Sequence, residues 1–290
     1  MERPEIWEWL SQEVMGEKGV VMLIGAPDTG KTTLCHFLIS QALRQGIRTA
    51  YVDGDIGQSV IGPPTTLGMA LLEEPPEDFS HLPWDLLYFI GSPSPARHLL
   101  PVAVGLKRLV DKAKEKGAEL IVVDTTGLVA GEVGFELKFY KMELLRPQAL
   151  IALQRQDELE HILKGCRGRE GVSLYVLPPS EGVVPRSPER RREYRQRRFE
   201  EYFKGGRKVE VDVERTVVID PAFPLLKLGE DDGRLVGRLL GLNDGQFFTL
   251  GLGIWEGVDE GKGRVYIYTP LEETEAVRFL QLGHITLRRG

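Results

Sequence analysis

Val20-Val-Met-Leu-Ile-Gly25-Ala-Pro-Asp-Thr-Gly30-Lys31-Thr32-Thr33 is the stretch that decides how the rest of the chain is read. Its first five residues are a continuous apolar run of strand length, as expected for a strand covered on both faces. The next eight fit G-x-x-x-x-G-K-[ST], and a helical pattern follows over Lys31–Gln45 until Gly46. Gly25 and Gly30 permit a turn that aims several backbone N–H groups at one centre. The helix N-terminus adds positive potential there. Asp28, Thr29, Gly30, Lys31, Thr32 and Thr33 are therefore the expected nucleotide cradle, with Lys31 on the β- and γ-phosphates and Thr32 on magnesium. The signature says nucleoside triphosphate and not what is done with it.

Outward from this loop, apolar runs alternate with helical patterns. Strands are expected at Thr49–Val52, Leu86–Ile90, Leu120–Asp124, Ala149–Leu153 and Ser173–Leu177, and helices at Ala96–Lys116 and Phe135–Leu145. This is the pattern of an α/β fold: a three-layer P-loop NTPase domain with a mostly parallel sheet. Residues 1–19 read as an amphipathic lead-in, with Ile6, Trp9 and Leu10 at helical spacing. After Gly206 short β-like runs (Val209–Val213, Thr216–Ile219, Phe247–Leu252, Val265–Tyr268) alternate with turns at Gly229–Gly233 and Asn243–Gly245. The expected division is a lead-in (1–19), a P-loop kinase domain (20–206) with a lid at about 182–204, and a small β-rich C-terminal domain (207–290).

The chain has 290 residues, a net charge of −6, two cysteines and five histidines. That composition fits a folded, cytoplasmic protein without a disulfide framework, signal peptide or membrane span. The histidines show no metal spacing, and Cys35 and Cys166 read as packing or surface thiols. The acidic balance argues against nucleic acid only as an average. The window His161–Arg198 holds ten basic and four acidic residues, a net of +6, which leaves −12 on the remainder. Within it Ser187 is a good N-cap and Pro188 suits the first helical position, so a basic helix is expected to run to Phe203 and stop at Gly205-Gly206. Arginines at its start could reach over the P-loop and neutralise phosphoryl charge.

Two further elements end strands at the same edge of the sheet. Asp53-Gly-Asp55-Ile-Gly57-Gln58 offers carboxylates that either orient magnesium through water, accept a hydroxyl proton, or only form a turn around Gly54. By strand alternation Asp53 and Asp55 point the same way. Asp124-Thr125-Thr126-Gly127 offers a water-mediated magnesium carboxylate, and its D-x-x-G spacing also matches a GTPase switch. Gln154-Arg155-Gln156-Asp157 is a poor echo of a guanine reader. Lys138 and Lys141 share a helix face, read either as solvated or as tracking acceptor phosphates. Trp255 and Tyr266 read as core.

Four ordered motifs over Val20–Phe203 resemble the polynucleotide 5′-hydroxyl kinases related to the kinase subunit of the eukaryotic pre-mRNA cleavage complex, in particular archaeal and bacterial members. They are GAPDTGKTT; Asp55-Ile-Gly57-Gln58 with Pro63-Pro64-Thr65-Thr66; the clasp Thr125-Thr126-Gly127; and the lid Val183-Val184-Pro185-Arg186-Ser187 through Arg191 to Tyr202-Phe203. The resemblance implies transfer of the γ-phosphate of ATP, with magnesium, to the 5′-hydroxyl end of RNA or DNA. It implies Lys31 and Thr32 on phosphate and magnesium, Asp55 as activator of the hydroxyl, and Arg186 and Arg191 as lid arginines, with Arg190 competing for the second position. Gln58, Thr125, Thr126, Gly127, Arg190 and Arg195 are then the acceptor side. Leu128 stands where eukaryotic relatives place a stacking Trp, and only a short segment precedes the first strand, which suggests an enzyme without an obligatory protein partner. The alternative is a nucleotide-dependent switch, or a scaffold without phosphoryl transfer.

Overall fold

The computed structural model describes residues 5–180, 182, 184–221 and 233–287. Val183 of the lid motif and most of the expected Gly229–Gly233 turn lie outside the described residues. Strand β1 (Gly19–Gly25) sits centrally among β7 (Ser173–Leu177), β6 (Ala149–Leu153), β5 (Leu120–Thr125) and β2 (Thr49–Gly54), in the order β7-β6-β1-β5-β2, all parallel. Along β1, Val20, Met22 and Ile24 enter one core with Leu106 of α3 (Leu99–Glu115), Leu137 of α4 (Gly131–Leu145) and Ile162 of α5 (Glu160–Leu163). Val21 and Leu23 enter the other core, with Leu10 of α1 (Glu5–Glu17) and Leu34 and Leu38 of α2 (Lys31–Arg44). Period-two alternation of uniformly apolar residues thus supplies two buried faces, and the three-layer expectation holds.

The sheet is more mixed than expected. Beyond β2 come β3 (Thr66–Leu72), antiparallel to it, and β4 (Leu86–Phe89), antiparallel to β3. The expected strand at Leu86–Ile90 therefore runs with the parallel set, but β3 intervenes. Its Gly68 lies where a Cβ would meet Ile61 at 2.5 Å, so the strand packs directly on the returning loop. The sheet then continues through β11 (Thr249–Asp259) to β10 (Arg238–Asn243), β13 (Phe279–Thr286) and β9 (Val217–Ile219). The other edge of β11 carries β12 (Arg264–Thr269), which pairs with β8 (Arg207–Asp212). Strands β10 and β13 were not expected. The join between the P-loop region and these strands is the pair Leu87 and Thr249, with the Thr249 hydroxyl accepting from the Phe89 amide at 2.9 Å.

The lid helix α6 (Pro188–Phe203) has the expected bounds. The Ser187 hydroxyl accepts from the Arg190 amide at 3.3 Å, and Pro188 fills the first turn. Of this highly charged helix only Phe199 and Phe203 are buried, against Phe89, Leu239, Leu252 and Ile254. At roughly 2–3 kcal/mol for each buried ring, these two hold the helix down. Trp255 is core, as expected. The lead-in differs from expectation. Helix α1 buries Trp7, Leu10, Val14 and Met15, whereas Ile6 and Trp9 are 42% and 49% exposed. The i, i+3, i+7 stripe begins at Trp7, one position later than the sequence pattern suggested.

Candidate active site

The carboxyl ends of β1, β2 and β5 and the start of α6 surround one cleft of about 1480 Å³. Its floor is the P-loop. Gly30 takes φ 88° and Asp28 φ 54°, so the loop curls before α2 begins. Lys31 Nζ donates to the carbonyls of Gly25 and Ala26 at 3.0 and 2.8 Å, bracing the loop from inside. Burial pulls this ammonium below the ordinary lysine range, while Asp124 and Asp55 oppose the pull. Thr29 and Gly30 line the cleft beside Lys31, Thr32 and Thr33. At Gly25 a Cβ would meet Thr29 Oγ1 at 2.6 Å and the Leu153 carbonyl at 2.8 Å.

Thr32 Oγ1 donates to Asp124 Oδ2 at 2.5 Å. Asp124 is buried, and its Oδ1 has no hydrogen-bond partner among the described residues. Burial pushes its carboxyl up, whereas Lys31 and the Thr32 hydroxyl hold it down. An orphaned buried carboxylate oxygen beside a threonine hydroxyl is a donor set that fits a hard cation reached through water.

The two carboxylates after β2 diverge. Asp53 is buried, and it accepts from the amides of Asp55, Val60 and Ile61 at 2.9, 2.6 and 3.1 Å and from the Ser59 hydroxyl at 3.2 Å. It frames the loop 53–61 and does not line the cleft. Burial and Asp124 push it up to about 7, against the backbone hydrogen bonds. Asp55 is half-buried and lines the cleft. Its Oδ1 accepts from the Gly57 and Gln58 amides at 3.0 and 3.2 Å. The expectation that both point the same way fails because β2 ends at Gly54, so alternation no longer applies.

The lid closes on the P-loop through Asp28. Its Oδ2 accepts from the Arg186 amide at 2.9 Å and from Arg191 Nη2 at 2.5 Å. Arg186 Nη1 donates to Gln58 Oε1 at 2.7 Å. Arg190 and Arg195 also line the cleft, but it is Arg191 that pairs with the P-loop. Farther along α6, Tyr194 Oη donates to the Ser59 carbonyl at 2.9 Å and Arg198 to the Gly62 carbonyl at 2.9 Å. Arg155, read from the sequence only as part of a poor guanine motif, donates to the Asp28 carbonyl.

The clasp needs a correction. Thr126 and Gly127 line the cleft, but Thr125 does not. Thr125 is buried. Its hydroxyl donates to the Leu23 carbonyl at 2.7 Å and accepts from Lys138 Nζ at 2.9 Å. As the last residue of β5 it follows strand alternation and turns away from Asp124. Lys138 and Lys141 are likewise neither solvated nor part of the cleft lining, being 0% and 1% exposed. The signal was present: both fall in the stripe Gly134, Leu137, Lys138, Lys141, Met142, Leu145 that α4 buries.

Residues 25–205 match the family described as mRNA cleavage and polyadenylation factor CLP1 P-loop. The chain belongs to this family. A polyribonucleotide 5′-hydroxyl-kinase from Pyrococcus furiosus is 30% identical over 98% of this chain and 93% of its own length. One from Methanocaldococcus jannaschii is 31% identical over 91% of this chain and 86% of its own. A protein CLP1 homolog from Culex quinquefasciatus is 33% identical over 65% of this chain and 46% of its own length. Among solved structures, the wild-type Clp1p–Pcf11p (454–563) complex gives a TM-score of 0.72 at 15% identity, covering 96% of this chain and 77% of that one. That likeness is one of fold: a P-loop sheet extended by C-terminal strands. No described helix is long and apolar enough to cross a membrane.

Proposed function

We propose that this CLP1-family protein is a polynucleotide 5′-hydroxyl kinase that transfers the γ-phosphoryl group of ATP to the 5′ end of RNA. The observation that carries the proposal is the convergence of Arg186 and Arg191 on the P-loop residue Asp28, in the cleft that also holds Lys31, Thr32, Asp55 and Gln58. Relatives matched over nearly their full length at about 30% identity are named polyribonucleotide 5′-hydroxyl-kinases, which supports the same reading.

Asp55 orients the 5′-hydroxyl and accepts its proton as the oxygen attacks phosphorus in line. The bond from the γ-phosphorus to its bridging oxygen breaks, leaving ADP and a 5′-phosphate. Lys31 and the P-loop amides hold the phosphates, and Arg191 with Arg186 offsets the charge spreading over the transferring group. Thr32, with Asp124 and Asp55 through water, would hold magnesium, whose charge neutralises phosphate oxygens when it is bound. Gln58, Thr126, Gly127, Arg190 and Arg195 form the acceptor side, where the buried Thr126 hydroxyl has no hydrogen-bond partner among the described residues. Residues 20–206 make the catalytic unit, with 182–204 as its lid, and 207–290 form the C-terminal part, whose Leu239, Leu252 and Ile254 join Phe89 as the surface on which α6 rests.

Incubation of a 5′-hydroxyl oligoribonucleotide with γ-labelled ATP tests this directly. Label is expected on the 5′ end with the native protein and not with Lys31→Ala. Absence of transfer across divalent metals and temperatures, or equal transfer by Lys31→Ala, refutes it. A matched DNA oligonucleotide decides whether RNA is preferred.

A further inference from the structure

The turn after β5 is held from beneath by a charge that the proposed reaction does not use. Helix α4 buries two lysines inside an apolar stripe: Lys138 and Lys141 lie among Leu137, Met142 and Leu145, while Tyr140 and Leu144 are exposed. An ammonium out of water is expensive unless it is hydrogen-bonded, and a lysine on a solvated face costs nothing comparable. Lys138 Nζ donates to Thr125 Oγ1 at 2.9 Å and to the Thr126 carbonyl at 2.6 Å, and Thr125 Oγ1 passes the link to the Leu23 carbonyl of β1 at 2.7 Å. Gly127, next in the turn, lies so close to the P-loop that a Cβ there would meet Pro27 N at 2.7 Å. One ammonium therefore ties α4 to the ends of β5 and β1, and through the turn to the P-loop. No apolar side chain could replace those two donated bonds.

We propose that Lys138 is a positioning residue that fixes the Thr126-Gly127 wall of the cleft so that the acceptor's 5′ end is seated against the P-loop; the proposal rests on reading the site as a polynucleotide kinase. The charged groups acting on it are Lys141 on α4, Lys31 at the head of α2, Asp55 in the loop after β2 and Asp124 on β5. Burial pulls Lys138 well below the ordinary lysine range, Lys141 and Lys31 add to this, and the two carboxylates oppose it. Lys141, one turn on, has no hydrogen-bond partner for its Nζ among the described residues, so the anchoring is specific to Lys138.

The test compares native protein with Lys138→Met, Lys138→Gln and Thr125→Val. It measures KM for ATP and for a 5′-hydroxyl oligoribonucleotide, oligonucleotide affinity by fluorescence anisotropy with ADP bound, and thermal melting. Lys138→Met is expected to raise acceptor KM and weaken oligonucleotide binding by about tenfold, with ATP KM within about twofold. Lys138→Gln, which still donates, should recover most of the loss. A merely structural role predicts fewer active molecules with both KM values unchanged, and that result overturns the proposal. So does an ATP KM that rises in step with acceptor KM. Should Lys138→Met fail to fold, Thr125→Val keeps the ammonium and removes one of its acceptors; an unchanged acceptor KM in that variant overturns the proposal equally. Anisotropy is read without turnover, so a native protein that transfers no label refutes the kinase reading separately.

Discussion

Asp53 and Asp55 stand two residues apart and should fail in opposite ways when changed. Asp53→Ala removes the acceptor for three backbone amides and the Ser59 hydroxyl. Ser59 Oγ retains the Ile61 carbonyl at 2.7 Å, so only the amides are orphaned. The Ile61 amide is buried and bears the full cost of an unmade hydrogen bond, about 2 kcal/mol. Asp55 and Val60 are half-buried and regain water, at about 1 kcal/mol each. Loss of a desolvated carboxyl beside Asp124 offsets part of this, leaving about 3 kcal/mol, or a melting temperature lower by roughly 6–12 °C for a chain of this size. Asp55→Asn keeps an oxygen for the Gly57 and Gln58 amides, so stability should hold within about 0.5 kcal/mol. Its turnover should fall by about 10²–10⁴ with nucleotide affinity little changed, because the proton acceptor is gone. Urea unfolding followed by circular dichroism, together with kcat from label transfer, reads both. If Asp55→Asn is the more destabilised variant, or Asp53→Ala is as stable as the native protein, the division of labour drawn from the hydrogen bonds is wrong.

The lid offers a second contrast: Arg191→Met should lower kcat by about 10³-fold or more, Arg190→Met by far less, and single-turnover label transfer showing the reverse would place the other arginine on the phosphoryl group. His36 stacks on Phe79 at 4.0 Å, and burial lowers its pKa to about 4, with Asp78 opposing. The unfolded chain protonates this imidazole below its ordinary 6.5 and the folded chain only near 4, so stability is complete above 6.5 and lost as pH falls between the two. The loss from this group is about 3 kcal/mol, and His36→Gln should flatten that limb of a urea midpoint-against-pH plot; an unchanged slope refutes the assignment. Acceptor binding should depend weakly on salt. With Arg190 and Arg195 as the phosphate contacts on α6, a logarithmic plot should slope at about −1.4, and a slope steeper than about −5 would indicate a much larger basic surface.

The parallel half of the fold was legible because its physics is local. A strand buried on both faces needs an unbroken apolar run, and the P-loop needs glycines at fixed spacing. The lid helix was equally legible, since Ser187, Pro188 and Gly205 carry its start and stop in their own backbone preferences. Strand β3 was not expected because Gly68 interrupts its apolar run, and only packing on Ile61 explains the glycine in a strand. Strand β10 was missed although Gly237 and the Asn243–Gly245 turn flank it, because Gly241 interrupts its apolar run, and β13 likewise carries Gly283 in its interior.

By itself the sequence determined the nucleotide cradle, the order of the motifs and the segregation of positive charge onto one helix, because each depends on residue type and short spacing. Tertiary structure alone decided which of two aspartates faces the cleft, which threonine of the clasp is turned inward, which arginine reaches Asp28, and which groups the Lys138 ammonium meets. These choices turn on where a strand ends and on which groups from distant elements can satisfy a buried charge or carbonyl. That depends on side-chain direction in three dimensions, which spacing along the chain does not specify.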